Sequence, residues 1–559
     1  MRSKILKQGI DALAGIKADL CVVGSGPIGL SIAKDLAGRG RAVVLLESGG
    51  IKPGGSNSGL SEAKIISRNR HAPMASVACR ALGGASWLWG GRCVPFDPVD
   101  FSERPYIIGS EWPIEYSDIA DYYSSAAEFL CCGSGNFRLP NEETSDFGHL
   151  ISAGIHLDSL ERWCGEPVLA VRLKNEPWPP GLTVVTDATV VDLEVVDGAV
   201  QAVIVAEGER RLRFDGSKYF VLACGGLETT RLLLVLQTRY PNLFGGETGA
   251  LGRYYMGHLS GHHVEIRFDH PGNARHFVYR DEGSVVSRAR IAISGDMQQK
   301  HFLPNVVFWP ANPDMGNPAH GSGLLSLLFL LLSTPGLGSR FISEPIRQMQ
   351  LRVQPNYPGH VKNILRDLPV TAVHALDLLW QKYGKRRRKP FFFLNAADGG
   401  YLLHYHGEHR PNRESRIFLT AEKNAIGVPL LGIDLRFTHE DAIGIARAHL
   451  FLDRALRKCQ VGRLLMHGED LDLDRLSSTI LEHASDGFSQ IGLTRMGTGP
   501  SDAVVDSNCK AFDVSNLFVA GSSVFRTSGH ANPVLPAVAL ALRLSSHLDR
   551  LLTLGRTVA

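Results

Sequence analysis

Several things are scarce in this chain of 559 residues, and each scarcity removes a class of function. Charge of one sign is the first: the formal net charge is +3, too small for a chain this long to imply a nucleic-acid partner. Paired cysteines are the second. Cys21, Cys79, Cys93, Cys131, Cys132, Cys164, Cys224, Cys459 and Cys509 are odd in number, irregular in spacing and free of any C-x-x-C pair. That argues against a disulfide framework or a zinc site, so no metal is expected, and it favours a reducing, cytoplasmic compartment. Long apolar runs are the third. The most apolar stretch, GLLSLLFLLL at 323–332, is half of the ~20 residues that cross a bilayer. The N-terminal MRSKILKQGIDALAGIKADL has no apolar core of a secretory signal. Internal repeats and a clear flexible linker are missing too.

What is present describes a globular protein, 44% hydrophobic and 21% charged. The length exceeds one ordinary core, so two or more folding units are expected, interleaved in one compact body. Fifty-nine glycines suit a backbone that approaches a ligand closely in several places. The 323–332 run has two readings. One is a buried or partly buried helix. The other is an interfacial anchor giving a weak peripheral membrane contact, with Lys382 and Lys385-Arg386-Arg387-Arg388-Lys389 set on anionic lipid.

The strongest local signal lies at 18–50, ADLCVVGSGPIGLSIAKDLAGRGRAVVLLESGG. Leu20 to Val23 reads as a buried strand, Leu30 to Ala37 as a helix, and Ala42 to Leu46 as a second strand ending in Glu47. Between them, Gly24-Ser25-Gly26-Pro27-Ile28-Gly29 is a G-x-G-x-x-G turn in its required context. Gly24 permits the turn, Gly26 lets the backbone approach a pyrophosphate, and Gly29 lets helix and strand pack closely. The helix N-terminus offers free N–H groups to the phosphates. Glu47, followed by Ser48, is placed to accept from a ribose diol. No arginine stands there for a 2′-phosphate. The turn alone leaves NAD and FAD open.

Further along, WPIEYSDIADYYSSAAEFL (112–130) and 440–458 read as helices. Strand-like runs fall at 182–195, 199–206, Asn305–Trp309, Arg416–Thr420 and Gly432–Arg436. KYFVLACGGLETTRLLL (218–234) is strand, Gly-Gly turn and helix, and the C-terminal NLFVAGSSVFRTSGHANPVLPAVALALRLSSHLDRLL is strand, loop and long helix.

The loop ALGGASWLWGG (81–91) identifies a resemblance. With WPIEYSDIADYYSSAAEFL, VLACGGLETTRLLL, GRYYMGH (252–258), HGEHRPNRESRIFLT (406–420) and the run from GLTRMGTGPSDAVVD to SGHANP, the chain resembles the glucose–methanol–choline (GMC) oxidoreductases, FAD enzymes that mostly oxidise alcohols. It is most similar to the bacterial branch that also resembles pyranose oxidases and sugar dehydrogenases. The resemblance implies an α/β fold: a Rossmann-like FAD-binding domain from 15–110, 185–265 and 485–559, and an interleaved α+β substrate domain on an antiparallel sheet from 111–184 and 266–484, with a helical insertion at about 320–390. It implies that Gly83, Gly84, Ser86, Trp89, Gly90 and Gly91 lie along the isoalloxazine, with Ser86 a hydrogen-bond donor. Val190 would pass near the adenine, Ala223, Cys224 and Gly225 would close the nucleotide pocket, and Gly521 and Ser522 would sit by the ribityl and pyrophosphate. Several relatives carry a covalently attached flavin on a histidine two positions after the serine. Leu88 stands there, so attachment through that residue is excluded.

Asn532 and Pro533 suit the N-cap and first turn of the last helix, whose N-terminus the resemblance aims at the flavin. Alcohol oxidation also needs a group to take the hydroxyl proton, most often histidine. The family places one three residues before the glycine of a G-x-x-R-M-G-like loop, and His or Asn before the final helix. In GFSQIGLTRMG (487–497) that residue is Ser489; the second position, Asn532, fits. Gln490 is not basic and His483 lies too early. His530, His404 or His406 could supply the base, or Ser489, water or the substrate's own amine could relay the proton. The sequence thus implies an FAD-dependent oxidation of an alcohol such as a sugar, glycoside or natural-product hydroxyl, with electrons passing to oxygen, a quinone or a protein carrier. A flavoenzyme of other chemistry and an inactive FAD-binding protein are the alternatives.

Overall fold

The computed structural model describes residues 6–174, 176–283, 285–313, 315–334, 356–380, 393–394 and 399–557. Two sheets organise it. The first is parallel, with six strands in the order Leu6–Gln8, Leu182–Thr186, Val43–Leu46, Ala18–Val23, Ser217–Leu222 and Leu517–Val519. Its central strands are near-continuous apolar runs, the pattern of strands buried on both faces, and the helix Pro27–Gly38 packs against Ala18–Val23 and Val43–Leu46. Val43–Leu46 is buried throughout. The chain leaves Ala18–Val23 through the helix Pro27–Gly38 to the strand on one side, and later returns on the other with Ser217–Leu222. The order therefore reverses at the carboxyl end of Ala18–Val23, where open α/β sheets bind ligands. The helix Pro27–Gly38 has Gly26 at its N-cap and Pro27 in its first turn. Gly40, at φ +82°, supplies the left-handed residue that ends it.

The second sheet is antiparallel. Along it run Gly462–Leu465, His258–Phe268, Gly400–Glu408, Val306–Ala311, Val286–Ile293, Ile155–Trp163 and Arg92–Cys93, with Arg280–Asp281 beside Val286–Ile293. Cross-strand partners share a face. His258 lies opposite Glu408, Ser260 opposite His406, and His404 opposite Trp309. Arg290 lies opposite Ser159, and Arg288 opposite Glu161. One face of this sheet thus collects polar and aromatic side chains from five strands.

The last helix, Val534–Thr557, packs on Pro27–Gly38. Arg41 Nε donates to Asp549 Oδ1 at 2.6 Å, and the Ser545 hydroxyl donates to Asp35. The helix His439–Lys458 carries a reciprocal capping box between Thr438 and Asp441.

Some elements differ from the sequence reading. Within 112–130 only Ser117–Ala120 and Tyr123–Leu130 are helical; Pro113 follows Trp112 and disfavours helix at that residue. The run 182–195 is two strands, because Asp187 at φ +56° turns the chain out of the parallel sheet into a separate one containing Thr189–Val196. Leu182–Thr186 joins the parallel sheet, and Arg92–Cys93 and His258–Phe268 join the antiparallel one. The 323–332 run forms the helix Gly323–Ser333. Leu324, Leu325, Phe329 and Leu332 are buried, and Ser326 is hydrogen-bonded to His360 of the helix Tyr357–Arg366. Among the described residues, no helix is long and apolar enough to cross a membrane. Lys382 and the basic residues 385–389 lie outside the described residues.

Candidate active site

The glycine turn after Ala18–Val23 has the three distinct environments its pattern requires. A Cβ on Gly24, at φ +101°, would stand 2.6 Å from the Ala223 carbonyl oxygen. A Cβ on Gly29 would stand 1.9 Å from the Gly24 carbonyl oxygen, so helix and strand touch there. A Cβ on Gly26 would meet nothing within 4 Å. Close packing thus explains Gly24 and Gly29, whereas the space over Gly26 is room for something that is not protein. Ser25, Pro27 and Ile28 complete the turn, and the helix N-terminus behind it offers unbonded N–H groups. Glu47 is nearly buried at the end of the next strand. It accepts from Ser25 N at 3.0 Å, from the Ser25 hydroxyl at 2.5 Å and from Gly49 N at 2.8 Å. Burial pushes its carboxyl up, and the Ser25 and Gly49 bonds oppose that. One lone-pair site, on Oε1, remains for a ribose hydroxyl. Ser48 is bonded to Thr189 at 2.7 Å and accepts from Arg80 at 2.8 Å.

The 83–91 loop rests directly on this turn. Gly83 N donates to the Ser25 carbonyl at 3.0 Å, and a Cβ on Gly84, at φ +53°, would stand 2.8 Å from Gly26 Cα. Ser86 is buried, and its hydroxyl oxygen accepts from Leu169 N at 3.2 Å, which leaves its proton to give. Trp89 donates to the Pro167 carbonyl at 2.9 Å. A Cβ on Gly90 would meet nothing within 4 Å, whereas one on Gly91, at φ +75°, would strike the Cys164 sulfur. Across the turn, Ala223 N donates to the Val23 carbonyl at 2.8 Å, and the Cys224 thiol, pushed up to about 12 by burial, donates to the same oxygen at 3.2 Å. Gly225 takes φ +82°. Val190 is buried in Thr189–Val196. Gly521, at φ +141°, again has nothing within 4 Å of a Cβ, and the Ser522 hydroxyl donates to the Gln490 carbonyl at 2.9 Å. Open space over Gly26, Gly90 and Gly521, beside a buried acid, fits a dinucleotide such as FAD.

The loop GFSQIG is fixed by its glycines. Gly487 takes φ +116° and Gly492 φ +85°, and a Cβ on Gly492 would stand 2.3 Å from the Tyr254 carbonyl oxygen. Ile491 and Met256 exchange both backbone hydrogen bonds, at 2.9 and 3.2 Å. That bridge brings Ser489 against the start of His258–Phe268. The Ser489 hydroxyl lies 2.9 Å from His258 Nδ1. Asp486 Oδ2 accepts from the His258 backbone N–H at 2.7 Å and lies 3.6 Å from Nδ1. His258 Nε2 faces the Ser528 carbonyl at 3.4 Å. The His406 ring stacks on His258 with centroids 4.4 Å apart. Burial pushes the His406 imidazole well below its usual range, helped by His258 and Arg92, and its Nε2 is buried with no hydrogen-bond partner.

The other sequence candidates fall differently. His530 is wholly buried with both nitrogens committed: Arg290 donates to Nδ1 at 3.2 Å, and Nε2 donates to Asp97 Oδ2 at 2.7 Å. It orients its neighbours and has no free lone pair for a substrate proton. His404 Nε2 lies 2.9 Å from the Ser260 hydroxyl, and its ring stacks on Trp309 at 4.4 Å. Gln490 is spent on backbone, accepting from Leu227 N and donating to the Val77 carbonyl. His483 packs beside His263. The last helix starts at Val534, and Ala537 N donates to the Pro533 carbonyl at 2.9 Å. Pro533 therefore holds the capping position expected of Asn532, and Asn532 Oδ1 is buried without a partner. The side chain expected to cap the helix is free for a ligand instead.

Sequence reasoning missed His258, Asp486 and a cationic wall. GRYYMGH contains His258, but nothing in the string says that it meets a loop 231 residues away. The wall consists of Arg92, Arg288 and Arg290 about Glu161. Arg92 Nε lies 2.7 Å from Glu161 Oε2, and Arg288 Nε donates to Oε1 at 2.7 Å. Arg92 and Arg288 both lie within 5 Å of the Trp309 ring centroid, at 4.7 and 4.8 Å. Burial would raise the Glu161 carboxyl, but Arg288, Arg92 and Arg290 hold it below the usual carboxylate range.

Comparison with known proteins agrees with this geometry. A family model described as FAD dependent oxidoreductase matches residues 19–299, and one described as GMC oxidoreductase matches 411–541. The chain is 22% identical to a 2-methyl-1,2-propanediol dehydrogenase of Mycolicibacterium austroafricanum, over 96% of this chain and 95% of that one. It is 33% identical to a C-glycoside 3-oxidase of Arthrobacter globiformis over 134 residues, 23% of each chain. The fold is similar to that of pyridoxine 4-oxidase from Mesorbium loti, with TM-score 0.51, 16% identity, and coverage of 96% of this chain and 99% of that one.

Proposed function

Because this chain belongs to the FAD-dependent GMC oxidoreductases and acts on CH–OH groups, we propose that its substrate is a small polyol, sugar or glycoside hydroxyl held between the Ser489 loop and the histidine-bearing sheet face. The observation that carries this reading is a set of polar atoms without protein partners, on the antiparallel sheet and just before the last helix: His406 Nε2, Asn532 Oδ1 and Arg92 Nη2 are all buried and unbonded. Unbonded buried polar groups are costly, and a hydroxyl-rich ligand satisfies them. The diol dehydrogenase and the glycoside oxidase among the relatives support the same substrate class.

Bound FAD supplies the hydride acceptor, and the glycine-lined turn with Glu47 would hold it. The protein's own groups do the rest. Asn532, through its free oxygen, accepts from a neighbouring hydroxyl of the substrate and so orients it. His406, kept neutral by burial, accepts a hydrogen bond from the substrate. The sheet and the 83–91 loop keep water from the reacting carbon. The electrons leave for oxygen, a quinone or a protein carrier. Leu88 supports non-covalent FAD, and nine unpaired cysteines suit a reducing, cytoplasmic setting. The exposed apolar faces of Tyr357–Arg366 and Leu368–Leu379 support a weak peripheral membrane contact.

The test is to mix the FAD-loaded protein with diols, sugars, glycosides and aryl alcohols without oxygen. Bleaching of the flavin band by diols or sugars is expected. No bleaching across the panel would overturn alcohol oxidation and leave the two alternatives, other flavin chemistry or FAD binding alone.

A further inference from the structure

Ser489 occupies the place where the family carries a histidine, yet it is not alone there. His258 stands behind it at 2.9 Å and Asp486 lies 3.6 Å from the same ring nitrogen. All three are more than nine-tenths buried. Two acceptors compete for the His258 ring proton, the Ser528 carbonyl 3.4 Å from Nε2 and Asp486 Oδ2 3.6 Å from Nδ1, and the shorter contact places it on Nε2. A carbonyl oxygen can only accept, so His258 Nε2, which faces the Ser528 carbonyl, carries the ring proton. Nδ1 is then a bare lone pair, and the Ser489 hydroxyl donates to it. That leaves the Ser489 oxygen with lone pairs to accept a further proton. Asp486 is held in place independently of the ring: its Oδ1 accepts from Phe488 N at 2.8 Å and Ser489 N at 3.3 Å, and its Oδ2 from His258 N.

We propose that Ser489, His258 and Asp486 form a relay that takes the alcohol proton in place of the missing histidine. The proposal rests on the alcohol-oxidation reading above. The substrate O–H bond breaks and its proton goes to Ser489 Oγ, while the Ser489 proton passes to His258 Nδ1. The C–H bond breaks with its electron pair, which leaves with that hydrogen as hydride to FAD, and the carbon becomes a carbonyl. Asp486 balances the imidazolium that forms. Ser489 is the catalytic residue of this set; His258 and Asp486 act through it. His406, stacked on His258 and neutral, borders the relay without a proton to add. The sequence order, with His258 231 residues from Ser489, hides the arrangement from any motif.

The experiment uses FAD-loaded wild type, Ser489→Ala, His258→Gln and His406→Gln with one diol that bleaches wild type. In Ser489→Ala and His258→Gln the limiting rate of flavin bleaching is expected to fall about 10²–10⁴-fold, with the diol's dissociation constant within about threefold of wild type. A merely structural loss would weaken binding as well. Histidine ¹⁵N NMR of the FAD-loaded protein without substrate supplies a readout independent of turnover. His258 is expected to show an unprotonated, hydrogen-bonded Nδ1 whose shift moves in Ser489→Ala. Bleaching by His258→Gln within threefold of wild type, together with loss in His406→Gln, would assign the proton to His406 and overturn the relay. A protonated Nδ1 in the NMR spectrum would overturn it too. If wild type bleaches with no alcohol, the functional reading fails and the relay with it; if wild type bleaches and both relay variants keep pace, the relay alone fails.

Discussion

Ser489→His restores the family's residue and, in this chain, is predicted to be harmful. The new ring needs the space from which His258 Nδ1 meets the serine at 2.9 Å, so it displaces the partner it would replace. The limiting rate of anaerobic flavin bleaching is expected to fall at least about tenfold, as small misplacements at a reacting centre do; a rise would mean that the position merely lacks a base. His530→Gln is predicted to separate structure from chemistry. It disturbs the Asp97–His530–Arg290 contacts and is expected to cost about 1–3 kcal/mol in denaturant unfolding, while bleaching stays within about threefold of wild type. A large kinetic loss with unchanged stability would return His530 to the candidates. At this scale the sequence identified Ser489 and Asn532 as positions but not their neighbours. Side chains on neighbouring positions of a loop can be read from a string, whereas His258 reaches Ser489 only through the Met256–Ile491 bridge.

Among elements, the dinucleotide turn was the most legible, because each glycine's reason is local. The same locality makes it separable by mutation. Gly26 has φ −66° and free space at its Cβ, so Gly26→Ala is predicted to fold normally and to bind FAD at least about tenfold more weakly, the methyl standing where the pyrophosphate approaches. Gly29→Ala places a methyl 1.9 Å from a backbone oxygen, so it is predicted to destabilise the whole βαβ unit. FAD titration by fluorescence and thermal unfolding of the apoprotein check the pair. Wild-type FAD affinity in Gly26→Ala would contradict the reading of that space. Elements governed by non-local pairing were harder to read. The 182–195 run is uniformly strand-like, and only its partners divide it between two sheets. Asn532 and Pro533 both suit a helix start, and the one-residue difference in which of them caps decides whether the Asn532 oxygen is spent or free.

For the whole molecule, the histidines on and around the antiparallel sheet carry a collective consequence. His409 and His449 are fully buried and His404 and His406 mostly so, and desolvation pushes each imidazole down, His449 to about 4. In the unfolded chain they titrate near 6.5. Their stabilising effect is therefore complete above about pH 6.5 and lost as pH falls toward the folded values, each group contributing up to about 1.4 kcal/mol per pH unit. The unfolding temperature of the FAD-saturated protein is predicted to drop from pH 7 to pH 5; a flat or rising profile would contradict the burial of these rings as neutral groups. On the outer surface, Leu365, Val373, Leu376 and Trp380 are each at least 65% exposed, and Leu365 shares a groove with Lys362 and Arg366. Sedimentation with anionic vesicles is predicted for wild type and weakened in Leu365→Glu/Val373→Glu; equal sedimentation of both would remove this face as the contact. The overall plan of a dinucleotide sheet with an antiparallel partner was legible from ordered motifs along the chain, and what they could not supply was the face on which distant strands combine. That combined face makes the central claim measurable in one experiment: mix FAD-loaded protein with a limiting diol or sugar without oxygen, and quantify flavin bleaching and carbonyl product together. One carbonyl formed per flavin bleached is the predicted result; bleaching without carbonyl, or neither, would contradict it.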